Sequence, residues 1–216
     1  MLSVPTEASD KAIDSYQGQS SILIMVIGES GRGKSTSMRH LPPESTFLIN
    51  VKGKALPFPG GLKFVKGKNM SIEAGATQIL QTMKKASADP SVRYLVIDDG
   101  QYIMATEFME KAAIKGYDKF TIMANNMWQI LNLASALRGG LHVFFLTHEE
   151  NSGGVRKMKT LGKLLDEKLT PEGLSTVTLY CEVSVKGPDE APRYFFTTQT
   201  DGIQSAKAPM GMFPPT

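Results

Sequence analysis

The segment from Gly28 to Ser35 constrains the fold of this chain more than any other part of the sequence. It reads Gly-Glu-Ser-Gly-Arg-Gly-Lys-Ser and lies between an apolar run, residues 21–27, and a stretch with helical character, residues 34–40. Glycines at the first and sixth positions let the backbone curl, so that several N–H groups point at one anion. The segment therefore predicts a phosphate-binding loop at a strand-to-helix junction.

A loop of this kind assigns roles to its side chains. Lys34 adds a positive charge opposite the β- and γ-phosphates of a nucleotide, and Ser35 offers a hydroxyl to Mg²⁺. We therefore expect ATP and Mg²⁺ as cofactors. The residues expected to bind the nucleotide are Gly28, Glu29, Ser30, Gly31, Arg32, Gly33, Lys34, Ser35 and Thr36.

An acidic pair, Asp98 and Asp99, follows the apolar run of residues 92–97. An acid at a strand end holds Mg²⁺ in phosphate-loop proteins, directly or through water, so Asp98 is predicted to share the metal with Ser35. Asp99 stands where many ATPases carry an acid that orients the attacking water. It is expected to act as the catalytic base or, alternatively, to be a solvated or helix-capping residue.

Another polar pair, Thr147–His148, follows the apolar run of residues 141–146. Together they are expected to sense the γ-phosphate; the alternative is a neutral histidine that orders the strand end. Glu149 and Glu150 are alternative water-orienting acids. The expected catalytic residues are Lys34, Asp98, Asp99 and His148.

Apolar runs of strand length alternate with helical patterns along the chain. This alternation predicts an α/β fold with a mostly parallel central sheet flanked by helices, and an antiparallel strand pair at its C-terminal end. Polar residues that follow parallel strands meet at one sheet edge, so Gly28, Asp98 and His148 are expected to lie together. The predicted strands cover residues 21–27, 47–51, 92–97, 141–146, 175–185 and 193–200.

We expect one core domain, residues 21–200, between a polar lead-in, residues 1–20, and a tail rich in Pro, Gly and Met, residues 201–216. Within the core, residues 71–86 predict a helix capped by Ser71 or Asn69. Two helices broken near Gly116 are expected in residues 101–138, with Trp128 and residues 130–133 on the apolar side. Residues 151–159 predict a loop, and residues 161–169 a short helix.

Composition excludes several classes. No apolar run is long enough to span a membrane, and the acidic N-terminal residues argue against a signal peptide. The single cysteine, Cys181, cannot form an internal disulfide, and it is expected to be a structural thiol in a reducing compartment. A cytoplasmic location, with no membrane partner, is the expectation.

The formal net charge of +3 is too small to argue nucleic-acid binding, but its distribution is uneven. Residues 52–68 hold five lysines and no acid, which indicates an anion-binding surface or, alternatively, a soluble hairpin. Phe58, Phe64 and Tyr102 are possible stacking partners for bases, with core packing favoured for Phe64. The candidates for contacts with DNA or with a neighbouring subunit's ATP are Lys63, Lys66, Lys68, Arg156, Lys157, Lys159, Lys163 and Lys207. For the four of these in residues 156–163, the alternative is a solvated face.

Several motifs together resemble one family, the phage RecA-core ATPases of the Sak type, which are ATP-dependent single-strand annealing proteins. The phosphate-binding loop and residues 95–99 are common to many phosphate-loop proteins. More specific motifs are Phe145-Leu-Thr-His148, Lys159-Thr-Leu-Gly-Lys-Leu-Leu-Asp166, and the end that runs from Thr200 to Phe213. The resemblance covers about residues 20–213.

This resemblance implies a RecA-like fold, binding of single-stranded DNA, assembly into homo-oligomeric rings or filaments, and a role in phage recombination or replication. A single-strand-binding protein is a further implied partner. The chain departs from RecA-like proteins after its second predicted strand, where a catalytic Glu is usual and Asn50-Val-Lys-Gly-Lys54 stands instead. Slow or DNA-stimulated ATP hydrolysis is therefore expected, with the base at Asp99 or elsewhere.

Other functions share the same core. The main alternative is a replicative helicase-like motor or a helicase loader. Another is a nucleotide-dependent binding module with little turnover. A small-molecule kinase is less favoured, because such kinases usually carry an arginine-rich lid and residues 151–159 contain only Arg156.

Overall fold

The computed structural model describes residues 20–114, 116–162, 169–185 and 191–213, except for the side chain of Leu62. Its strands are β1 (Ile22–Ile27), β2 (Thr46–Asn50), β3 (Met70–Ser71), β4 (Tyr94–Asp98), β5 (His142–Thr147), β6 (Glu149–Ser152), β7 (Val155–Met158), β8 (Val177–Ser184) and β9 (Arg193–Thr197). Its α-helices are α1 (Lys34–Ser37), α2 (Ala76–Ala88), α3 (Gln101–Glu110) and α4 (Asp118–Ala134). Short 3-10 helices cover Met38–His40, Gly61–Lys63 and Pro171–Leu174.

Seven strands form one sheet in the order β3-β2-β4-β5-β1-β8-β9. All neighbours are parallel except β9, which pairs with β8 in the antiparallel sense. The predicted α/β architecture, a mostly parallel sheet flanked by helices with a C-terminal antiparallel pair, is confirmed. One strand, β5, separates β1 from β4, so the carboxyl ends of these three strands lie side by side.

The central strands bury both faces, which explains why they read as continuous apolar runs. On one face Leu23 and Met25 belong to a core cluster with residues of α2, α3 and α4. On the other face Ile24 and Val26 cluster with Met38, which follows α1, and with Phe58 and Phe64. Both phenylalanines are buried, so neither is exposed for stacking on a base.

The helix after β1 is short. The α-helix Lys34–Ser37 passes into the 3-10 helix Met38–His40, and Leu41 is extended because Pro42 disfavours helical geometry in the residue before it. The predicted extent of residues 34–40 is therefore correct, although only its first part is α-helical.

Some local predictions were wrong. Residues 151–159 are not a loop: β6 and β7 pair as an antiparallel hairpin, whose two-residue turn has positive φ at both Gly153 and Gly154. Helix α2 begins only at Ala76, since Ser71 lies in the edge strand β3. Trp128 was expected on the apolar side of α4 but is 37% exposed, whereas Ile130 and Leu131 are buried as expected, together with Met123 and Met127. Most of the helix predicted for residues 161–169 lies outside the described residues.

The segment after β9 packs back onto the sheet. Thr178 and Lys207 form an antiparallel bridge with both backbone hydrogen bonds, and Ala206 and Met212 are buried. Among the residues that the structure describes, no helix is long and apolar enough to cross a membrane.

Candidate functional site

The loop between β1 and α1 has the conformation that its glycines allow. Gly31 and Gly33 have φ values of 80° and 90°, a region that favours glycine. The Gly28 N–H donates to the Thr147 carbonyl at 3.3 Å, which ties the start of the loop to the end of β5. A Cβ on Gly28 would lie 2.9 Å from the Cβ of Cys181, so only glycine permits this approach of the loop to β8.

Lys34 is buried inside this loop. Its Nζ donates hydrogen bonds to the carbonyls of Gly28 at 2.7 Å and Glu29 at 2.8 Å. Burial lowers the pKa of Lys34 from its ordinary value, and the nearby Asp98 and Asp99 partly oppose that effect. A cation with few charged partners at the mouth of a curled loop is suited to bind an anion that enters the cavity.

Ser35 and Asp98 form the contact expected of a shared metal site. The Ser35 hydroxyl donates to Asp98 Oδ1 at 2.9 Å, and the Asp99 N–H donates to the same oxygen at 3.1 Å. Burial raises the pKa of Asp98 to about 6. A hydroxyl and a carboxylate are hard oxygen ligands, and Mg²⁺ typically takes one or two carboxylates together with substrate phosphates and waters. The pair therefore fits Mg²⁺, and the described residues contain no larger cluster of His, Cys, Asp and Glu that would hold another metal.

Asp99 is held by two cationic or protonatable groups. Lys54 Nζ lies 2.7 Å from its Oδ2, and His148 Nε2 lies 3.7 Å from its Oδ1. These interactions, with His148 first and Lys54 next, lower the pKa of Asp99 against the opposing effect of burial. Asp99 also has a positive φ of 61°. The structure thus brings Asp99 and His148 together. The Asp99 carboxylate is held as an anion by Lys54 and His148, and its lowered pKa makes it less basic.

Around this pair lies a small cluster that sequence reasoning missed. The Tyr102 ring is 6.0 Å from the His148 ring, edge to face, and the ammonium groups of Lys52 and Lys54 lie 5.2 and 5.0 Å from its centre. Lys54 lies in the loop after β2, and its place in the lysine-rich segment was its only signal in the sequence. The buried Thr147 hydroxyl has no hydrogen-bond partner among the described residues.

A cavity of about 930 Å³ joins these groups. The phosphate-binding loop, Asp98, Asp99, Lys54 and His148 form its polar part. Its apolar wall comes from β9 and the segment after it, and Tyr194 lies so close to the loop that a Cβ on Gly33 would sit 3.2 Å from its ring. This wall was not predicted from the sequence, and it includes Tyr194, Phe195, Phe196 and Phe213.

The hairpin β6–β7 carries two of the predicted basic candidates beside acids of the same chain. Arg156 donates to Glu149 at 2.7 and 3.3 Å and to Glu182 at 2.5 Å, and its guanidinium lies 5.4 Å from the Tyr180 ring centre. Lys157 Nζ is 3.9 Å from Glu150. Arg156 and Glu149 are therefore engaged with each other. Lys159 is exposed, and Lys163 lies outside the described residues.

The other lysine candidates lie away from the cavity. Lys63, Lys66 and Lys68 are exposed around a groove of about 1070 Å³ beside the edge strand β3. Asn69 donates to the carbonyls of Pro43 and Lys63, which fixes this segment next to the amino end of β2. The loop after β2 runs back along the sheet edge, so these lysines lie near the amino end of β2 and away from the cavity. Lys207, paired with Thr178, is half-buried beside β8, and burial lowers its pKa.

The chain can be compared with protein-family models, curated proteins and solved structures. No protein-family model matches the chain, and no curated protein matches it. Among solved structures, a KaiC-like protein from the hyperthermophilic archaeon Pyrococcus horikoshii is similar over 81% of this chain and 77% of that chain, with 11% identity and a TM-score of 0.46.

Proposed function

We propose that this protein is a phosphate-loop ATPase that binds ATP with Mg²⁺ and hydrolyses it slowly. The observation that carries the proposal is the hydrogen bond of 2.9 Å between Ser35 Oγ and Asp98 Oδ1. It brings the hydroxyl of a phosphate-binding loop and the acid of a different strand to one point, next to the Lys34 ammonium. Few functions other than holding a metal-bound phosphate chain explain these three groups together.

The residues divide the work between them. The loop N–H groups and Lys34 neutralise the phosphates, while Ser35 and Asp98 hold Mg²⁺, which supplies charge stabilisation when it is bound. The apolar wall around Tyr194 offers a surface for the nucleotide base. In hydrolysis, water attacks the γ-phosphorus and the bond to the bridging oxygen breaks, so ADP and phosphate leave.

Slow turnover is expected because the carboxylates of Asp99 and Glu149 are paired with cations. Asp99 is paired with Lys54 and lies near His148, and Glu149 is paired with Arg156. Asp99, with its lowered pKa and its cationic partner, is a weak proton acceptor. Within the described residues, the only acid that lines the cavity besides the metal ligand Asp98 is therefore Asp99, which is paired, and turnover is expected to need a partner that rearranges this pair.

Binding of a fluorescent ATP analogue tests the proposal. Wild-type protein is expected to bind the analogue with Mg²⁺ and more weakly in EDTA, and Lys34→Ala should weaken binding by about a hundredfold, because charge-assisted hydrogen bonds are lost. Lys84→Ala, on the exposed side of α2, is the matched control. Equal affinity of the Lys34→Ala and Lys84→Ala proteins would overturn the proposal.

We further propose that the ATPase acts on single-stranded DNA, as a homo-oligomer in the cytoplasm, in phage recombination or replication. The supporting observation is the set of exposed lysines beside β3, Lys63, Lys66 and Lys68. Lysine contacts with phosphates make binding depend on salt, with a slope of roughly −0.7 for each contact to a single strand. A single-strand-binding protein is a further proposed partner.

The salt dependence of DNA binding tests this second part. Replacing the three lysines by alanine should flatten the slope and weaken binding to all sequences alike, because phosphate contacts carry no base information. An unchanged slope would contradict the lysine surface. Strand displacement would favour the helicase-like motor, and turnover that ignores single-stranded DNA would favour the nucleotide-dependent binding module.

A further inference from the structure

Lys54 belongs to the polar lining of the cavity, together with residues of the phosphate-binding loop. Its ammonium is 2.7 Å from Asp99 Oδ2, and its side chain is 58% exposed whereas that of Asp99 is 11% exposed. The same cavity contains Lys34, Ser35 and Asp98. Hydrogen bonds link Ser35 to Asp98 and Asp98 to the Asp99 N–H. Along these polar contacts, only Asp99 therefore lies between Lys54 and the predicted metal ligand Asp98.

The position of Lys54 is defined by the end of β2. Asn50 is the last residue of that strand, in register with Asp98 on β4, and its side-chain amide donates to the Lys54 carbonyl at 2.8 Å. This bond fixes the backbone of Lys54 next to the metal-binding edge. The side chain beyond it is long and exposed, so its ammonium can change partner without moving the loop.

The anion that Lys54 binds is held in place from the other side. Asp99 has a positive φ of 61°, which Asp tolerates better than most residues. Its Oδ1 faces His148 at 3.7 Å. Asp99 therefore keeps His148 as a partner if Lys54 leaves. The loss of the ion pair with Lys54 does not leave a buried carboxylate without any partner.

We propose that Lys54 is a sensor of the terminal phosphate, whose ammonium exchanges Asp99 for a γ-phosphate oxygen when ATP occupies the cavity. The inference rests on the proposed function. ADP ends one phosphate earlier, so with ADP the ammonium remains on Asp99. A ligand shifts a two-state equilibrium only through its differential affinity, and this contact supplies such a difference between ATP and ADP.

The change of partner by Lys54 also alters its contact with Tyr102 of helix α3. Lys54 lies over the ring of Tyr102, in the first turn of α3, and that ring contacts His148 edge to face. When the ammonium moves to the phosphate, one cation leaves the face of this ring. The nucleotide state is thereby coupled to helix α3 and to the end of β5.

Lys52 provides a matched control. It belongs to the same loop and lies 5.2 Å from the centre of the same ring, but it makes no salt bridge with Asp99. A substitution at Lys52 removes the same charge from the same neighbourhood, so any general loss of attraction for anions affects both variants. Only an effect specific to the Asp99 pair distinguishes Lys54.

The experiment measures the affinities of ADP and of a non-hydrolysable ATP analogue, both with Mg²⁺, by titration calorimetry. Lys54→Met should weaken binding of the analogue by about tenfold or more while ADP affinity changes little, because one charge-assisted contact is lost. Lys52→Met should leave the ratio of the two affinities as in the wild type. Equal weakening for both nucleotides, or no weakening for either, would overturn the sensor.

Asp99→Asn supplies a second, opposite test. It removes the competing anion, so the preference for the ATP analogue over ADP should rise. A fall in that preference, as in Lys54→Met, would mean that the pair acts as one fixed unit and would overturn the exchange. If the wild type binds neither nucleotide, the proposed function fails and the sensor fails with it. Thermal unfolding of each variant verifies that it is folded.

Discussion

Ser35 and Asp98 are 63 positions apart in the chain, yet the Ser35 hydroxyl donates a hydrogen bond to Asp98 Oδ1 at 2.9 Å. Ser35 lies in the helix after β1, and Asp98 is the last residue of β4. Only β5 separates these two strands in the sheet. This contact places a phosphate-binding loop and a buried carboxylate at the same point. The carboxylate is only 6% exposed, so in the protein by itself it lies in an unfavourable environment.

Replacing that carboxylate should separate stability from function. Asp98→Asn is expected to stabilise the protein in EDTA at neutral pH, because burial raises the pKa of Asp98 to about 6 and the neutral amide avoids that cost. The gain should be up to about 3 kcal/mol, from the energy that corresponds to one pKa unit. Urea unfolding measures it. The same variant should lose Mg²⁺-dependent nucleotide binding, and a variant both destabilised and able to bind Mg²⁺ normally would contradict the assignment.

The pH dependence of the unfolding free energy should reveal the titration of Asp98. Because the folded-state pKa of Asp98 is raised from 3.8 to about 6, the stability associated with its protonated form is present below about pH 4 and is lost as the pH rises through about 6. The difference in unfolding free energy between Asp98→Asn and the wild type should therefore shrink as the pH falls from 7 to 5. A difference that stays constant over that range would show that Asp98 does not titrate there.

The close contact between the loop and β8 predicts a steric effect. A Cβ on Gly28 would lie 2.9 Å from the Cβ and 3.3 Å from the carbonyl oxygen of Cys181, so Gly28→Ala should destabilise the fold by roughly 1–3 kcal/mol. Gly173→Ala is the control, since a Cβ there meets nothing closer than 3.9 Å. In a double-mutant cycle, Cys181→Gly should couple favourably with Gly28→Ala, whereas Cys181→Ala, which keeps the Cβ, should not.

Arg156 should contribute mainly to stability. Its removal leaves Glu149, whose side chain is 8% exposed, without its cationic partner, and leaves Glu182, which is 16% exposed, only the longer contact of 3.5 Å with Arg32. Arg156→Met should cost roughly 3 kcal/mol, the low end for breaking a buried pair, because Arg156 itself is 21% exposed. Lys159→Met, at an exposed position, should change stability by less than about 0.5 kcal/mol.

A role of Arg156 in DNA binding would give a different result. In that case Arg156→Met would retain wild-type stability in urea and would reduce the salt slope of DNA binding by about one contact. Glu149→Gln in the Arg156→Met background should recover part of the lost stability, because it removes the uncompensated carboxylate.

The local patterns of the sequence were sufficient for the framework. The loop from Gly28 to Ser35, the acid that ends β4 and the alternation of apolar runs with helices predicted the parallel sheet and the edge at which the polar groups meet. Such features depend on residues close together in the chain, where glycine geometry and side-chain periodicity act directly. The missed hairpin β6–β7 also had a local signal, the Gly153–Gly154 turn.

Only the tertiary structure decided which charges meet. Nothing near Lys54 in the chain indicates that it pairs with Asp99, 45 positions away, and nothing near Arg156 indicates Glu182, 26 positions away. Likewise, nothing near Lys63, Lys66 and Lys68 in the chain indicates where they lie. The loop after β2 runs back along the sheet edge and places them near the amino end of β2. Strand order and loop paths set these partners, because the electrostatic interaction of two side chains depends on their distance in space and not on their separation in sequence.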